Sequence, residues 1–141
     1  MLNFFNKKNK EIIESSSVKI AALLIHVAKI DENYTEKEKK LIEKFISNIS
    51  EENLSPTSLL KEAEKTESNS NQLLQFTQII KKDSPELKTK IIQTLWKVLI
   101  SDGKVDEYES NLMRRICGLI YFPDKLSAEI KLKLINELKN K

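Results

Sequence analysis

The chain has 141 residues and sets 24 Lys and Arg against 21 Asp and Glu, a formal charge of +3. That is one domain of ordinary size, and a charge this small and this evenly mixed excludes an electrostatic nucleic-acid binder. Hydrophobic residues at 40% suffice for a core, two Gly and three Pro leave little room for hairpins, and a lone Cys117 excludes an internal disulfide or a cysteine-rich zinc site.

The chain opens with MLNFFNKKNK, apolar residues ahead of the lysines. A secretory signal has the reverse order. Residues 1–16 read as a flexible or weakly amphipathic segment. Leu2, Phe4 and Phe5 beside Lys7, Lys8 and Lys10 make it a candidate peripheral membrane contact. No run reaches the roughly 20 apolar residues of a spanning helix. The best, Ile20–Ile30, is cut by His26 and Lys29. The expected location is cytoplasmic, with any inner-membrane association peripheral. A lone cysteine fits that reducing compartment.

From residue 17 onward the apolar spacing is helical. A first helix runs from about Ser17 to Ile30 with Ile20, Leu24 and Val27 in line. Thr35 opens a second, to about Ile49, with Glu38 as its capping-box partner. Ser55-Pro56 opens a third carrying Leu59, Leu60 and Ala63. Glu64–Asn71 is the most polar stretch and marks a seam between two halves. Ser70 opens a fourth helix with Leu73, Leu74, Phe76, Ile79 and Ile80. Ser84-Pro85 opens a fifth with Leu87, Ile91, Leu95 and Val98. Asp106, with Glu109, opens a sixth, carrying Leu112, Met113, Ile116 and Leu119. Ser127 opens a seventh with Ile130, Leu134 and Leu138. No period-2 alternation of useful length predicts a strand. Trp96 and Cys117 fall at core positions of their helices.

Two stretches repeat, 71 residues apart, with Leu24/Leu95, Val27/Val98, Asp31/Asp102, Glu36/Glu107, Glu38/Glu109 and Leu41/Leu112 identical. The pattern predicts an all-α, compact bundle of about seven helices over residues 17–141. Its expected internal symmetry is a pseudo-two-fold repeat of a helix pair, about 18–49 and 89–120. Neither half covers its apolar stripe alone, so one core is expected.

Three of the six identities are acidic and lie at a turn between apolar runs. Asp31 and Asp102 follow helix carboxyl ends, where the helix dipole disfavours an anion. Two readings account for them. One is an Asx-turn, in which the carboxylate accepts backbone N–H groups. The other is a cation site built from several oxygen ligands. Glu38 and Glu109 also serve as capping-box residues. Asp102–Glu109 matches the second half of an EF-hand loop, but that loop's first and third ligand positions hold Val98 and Ile100, so it is not one. His26 is the single histidine, and its counterpart in the other copy is Lys97, which gives it a structural or surface role. No nucleophile elbow, P-loop, HExxH or GxGxxG occurs, so no enzyme is expected.

The runs LLIHVAKID…TEKEKKLIEKF and LWKVLISDGKVDEYESNLMRRICGLI, within residues 18–122, resemble the paired signature of the TerB-like tellurite-resistance family. The resemblance implies an all-helical, seven-helix fold whose clustered acidic residues are proposed to bind metal, with no attached reaction. Asp31, Glu38, Asp102 and Glu109 occupy the matching acidic positions, so the implied cofactor is a divalent metal ion. Glu32-Asn33 stands in the first copy where the family has Gly. The family includes the amino-terminal region of a membrane-anchored DnaJ-type co-chaperone. Two roles follow as expectations. One is a stress-associated module that binds a divalent cation. The other is a protein–protein interaction or co-chaperone-type accessory domain without metal.

Overall fold

The computed structural model describes residues 17–30, 32, 34–49, 55–68, 73–100 and 105–140. All regular structure among them is helical. The helices are α1 (17–30), α2 (Glu36–Ile49), α3 (Pro56–Ser68), α4 (Leu73–Thr77), α5 (Pro85–Ile100), α6 (Glu107–Ile120) and α7 (Asp124–Lys139), with a 3-10 turn at Ile80–Lys82. This is the expected all-α bundle. The amino-terminal segment and its three anchor candidates lie outside the described residues. No helix among the described residues is long and apolar enough to cross a membrane.

Two helices form the centre. In α1, Ile20 through Ile25 plus Val27 and Ala28 are buried, so the helix is apolar nearly all round rather than along one stripe. In α5, Ile91, Ile92, Leu95, Trp96, Val98, Leu99 and Ile100 are buried. One hydrophobic cluster joins these to residues of α2, α3, α4 and α6. α5 packs against α2 and α7, and α3 packs on α2. α6 packs against α4, the 3-10 turn and α7.

Local chemistry sets the helix ends. Ser55 and Ser84 accept the N–H groups of Ser58 and Leu87, three residues on, and each precedes a proline at the first helical position. α6 ends at Tyr121 in the left-handed region (φ 59°), after which Phe122 turns inward and Pro123 prevents continuation.

The fourth helix is shorter than its apolar spacing predicts. It stops at Thr77, whose hydroxyl donates back to the carbonyls of Leu73 and Leu74. The chain re-forms as a 3-10 turn at Ile80, and Leu74 is left 46% exposed.

The seventh helix starts at Asp124, three residues earlier than Ser127 predicts. Ser127 lies buried inside the first turn and accepts the Trp96 indole N–H at 2.9 Å. Its role is to pin α7 to α5 rather than to cap.

α2 and α6 are the second helices of the two copies expected from the sequence. Both have 14 residues. They share four buried positions, Glu38/Glu109, Ile42/Met113, Phe45/Ile116 and Ile46/Cys117, and α6 also buries Ile120, whose counterpart Ile49 is half-buried. α2 packs on α3 and α5, and α6 packs on α4, the 3-10 turn and α7.

Candidate functional site

The two acidic helix starts share one element, a glutamate that accepts the N–H of the residue three positions before it. Thr35 is the N-cap of α2, because its carbonyl accepts the Lys39 N–H at 3.0 Å. Glu38 Oε2 accepts the Thr35 N–H at 3.1 Å and also the Thr35 hydroxyl proton. At α6 the box is complete. Asp106 Oδ1 accepts the Glu109 N–H at 2.8 Å, and Glu109 Oε1 accepts the Asp106 N–H at 2.9 Å. Thr35 and Asp106 thus cap where the sequence predicts them.

Burial goes beyond what capping requires. Glu38 is 2% exposed and Glu109 4%. A carboxylate withdrawn from water is tolerated where bonds or opposite charge compensate it. Glu38 and Glu109 each make interactions in addition to their caps. Asp31 and Asp102 lie outside the described residues. Among those described, no group of three or more His, Cys, Asp or Glu side chains is arranged to hold a metal ion.

The start of α2 mixes Glu36 and Glu38 with Lys37, Lys39 and Lys40. Tyr34 sits beneath the Lys39 ammonium, 5.2 Å from its ring centre. Its hydroxyl is pushed well above the ordinary tyrosine range, first by burial and then by the Glu64 carboxylate, with Glu36 and Glu43 adding. Both Glu64 and Glu67 lie within α3, where Glu64 is half-buried and Glu67 buried.

Glu67 is the residue that sequence reasoning missed. It is 5% exposed. Its Oε1 lies 2.6 Å from Lys29 Nζ and its Oε2 3.5 Å from His26 Nδ1. The His26 ring packs on Phe76 with centroids 5.6 Å apart. The single histidine is thus structural, as expected, and helps tie α1 to α3. The available signal was spacing: Leu60, Ala63 and Glu67 fall on one helical stripe, so the glutamate occupies a core register.

No curated protein and no solved structure matches the chain. Residues 17–132 match the family model described as tellurite resistance protein TerB, over most of the sequence. Taken with the all-helical bundle, this shows that the chain belongs to the TerB family.

Proposed function

We propose that this chain is a non-enzymatic, stress-associated TerB-like module that binds a hard divalent cation through Asp31, Glu38, Asp102 and Glu109. The observation that supports this reading is the matched burial of Glu38 and Glu109, each seven residues after an aspartate of the repeat. Buried carboxylates repel one another, and a cation relieves that repulsion. The donors are all carboxylate oxygens, with neither thiolate nor imidazole, which suits Ca²⁺, Mg²⁺ or Mn²⁺ better than softer ions.

Calorimetric titration of chelator-treated protein with Ca²⁺, Mg²⁺, Mn²⁺ and Zn²⁺ tests the proposal. Binding of a hard cation is expected, and its loss in Asp31→Asn with Asp102→Asn, which keeps the Asx-turn while removing charge. No heat from any of the four ions, together with a metal-free protein destabilised by the same exchange, would leave the carboxylates a purely structural role.

A second reading, an interaction module without metal, is favoured by Leu132 and Leu138 of α7, which are 60% and 53% exposed.

A further inference from the structure

An open groove runs between α2 and α5. Two adjoining cavities, of about 260 and 370 Å³, share Leu41 and Lys97. At one end Phe45 and Asn48 of α2 lie with Lys90 and Thr94 of α5. At the other, Lys37 lies with Ile100. The order of these residues makes the two helices antiparallel along the groove. From Lys37 to Asn48 it follows three turns of α2, roughly 16 Å at the rise of an α-helix. Leu134, Glu137 and Leu138 of α7 wall the far end.

Floor and rim differ in chemistry. The floor is apolar toward α7, with Leu41, Ile100, Leu134 and the half-exposed Leu138, and mixed at the other end, where Asn48, Gln93 and Thr94 lie beside Phe45. The rim is cationic on both sides. Lys37 and Lys44 stand two turns apart on α2, and Lys90 and Lys97 two turns apart on α5, all exposed. Lys44, Lys90 and Lys97 have no carboxylate within ion-pair distance among the described residues. Among the described residues, Glu137 is the single carboxylate in the lining.

A trough open along its length leaves one side of its occupant in water, whereas small-molecule sites enclose most of a ligand. A helix with one apolar face and charged flanks meets that requirement. We propose that this groove docks an acidic amphipathic helix of a protein partner. Its apolar face rests on Leu41, Phe45 and Leu134, and carboxylates on its two flanks meet Lys44, Lys90 and Lys97. Flanking carboxylates seven residues apart match the two-turn spacing of the lysines. The chain's own residues 1–16 carry the wrong sign, with Lys7, Lys8 and Lys10 against Glu11 and Glu14. The proposal names the partner for the interaction reading above and rests on that reading, not on a bound cation.

The test is a displayed library of amphipathic helices with fixed apolar spacing and randomised flanks, selected on the full chain in the presence of chelator. Asp and Glu are expected to be enriched on both flanks. The selected peptide should bind in fluorescence anisotropy and shift groove amides in NMR spectra. Lys44→Glu with Lys97→Glu should weaken it by about tenfold or more while leaving the melting curve unchanged. Leu138→Asp should weaken it from the apolar side. Neutral or basic enriched flanks would overturn the proposal, as would an acidic peptide indifferent to the lysine exchange or one that binds only when a cation is restored. Groove shifts produced by phosphatidylglycerol vesicles and by no peptide would assign the groove to a lipid surface instead. Absence of cation binding in the calorimetric experiment leaves the peptide result untouched, so the two readings fail separately.

Discussion

Substitutions at Glu109 separate the work of a helix cap from the work of a charge. Its Oε1 holds the Asp106 N–H at 2.9 Å. Glu109→Gln keeps an acceptor there, since Gln serves the third position of a capping box as well as Glu does. Glu109→Ala removes it. The orphaned N–H belongs to the exposed residue Asp106, where water replaces the carboxylate. The cap alone contributes about 0.5–2 kcal/mol, and the further interactions of Glu109 add to it. In a chain of this size each kcal/mol moves Tm by about 2–4 °C, so the alanine variant should melt at least about 1 °C lower. Metal-free Glu109→Gln should lose less than Glu109→Ala, because it keeps an acceptor for the Asp106 N–H. A cation at a hundred times its Kd adds about 2.7 kcal/mol, which is about 5–11 °C for the parent. Glu109→Gln should erase that rise. Thermal unfolding followed by far-UV circular dichroism, with chelator and then with Ca²⁺, reads all of these. Gln as damaging as Ala would refute the capping argument. A cation rise that survives in the Gln variant would remove Glu109 from the ligand set.

Ser127→Ala leaves the Trp96 indole N–H buried without its acceptor, so the urea midpoint should drop by the equivalent of about 1–3 kcal/mol. Trp96 is the only tryptophan, and its own fluorescence reports the transition; a midpoint equal to the parent's refutes the assignment. Glu32 has a left-handed backbone (φ 55°) at the end of α1, which glycine adopts without strain, so Glu32→Gly should stabilise by about 0.5–1 kcal/mol in the same assay. A destabilised variant would show that the Glu32 side chain matters more than its backbone. Tyr34 holds its proton more tightly when folded than when unfolded. Its contribution is complete below the unfolded value near 10 and is lost as pH rises beyond it. Tyr34→Phe should flatten the alkaline fall in stability, and an unchanged fall would place the cause elsewhere.

Periodicity and caps carried most of the fold. Thr35, Ser55, Ser84 and Asp106 open helices as their chemistry predicts, because a cap is a local event within four residues. Ser127 misled for a reason that is not local. A buried indole N–H, 31 positions away in sequence, needed an acceptor and took the hydroxyl. The fourth helix misled because apolar spacing runs on through Ile79 and Ile80, where the backbone tightens into a 3-10 turn. Of the candidate site, both glutamates were legible as caps, but their burial depends on what the bundle folds over them. Glu67 was hidden by its neighbours, since a charged residue in a polar stretch reads as solvated until His26 and Lys29 arrive from α1. The lysine-rimmed groove needs two helices brought side by side, and no single segment carries its signal.

Ser127 is the one fully buried residue of α7, whose apolar side chains otherwise reach only half-burial. α5, against which it lies, buries eight. The bundle therefore has a hierarchy of opening: α7 can lift away at a free energy below that of global unfolding, while α5 is released only with the whole fold. Because α7 supplies Leu134 and Leu138 to one end of the groove, its detachment dismantles the docking surface, and an occupant holds the helix down. Affinity at that surface and the local order of the last helix are then two measures of one equilibrium.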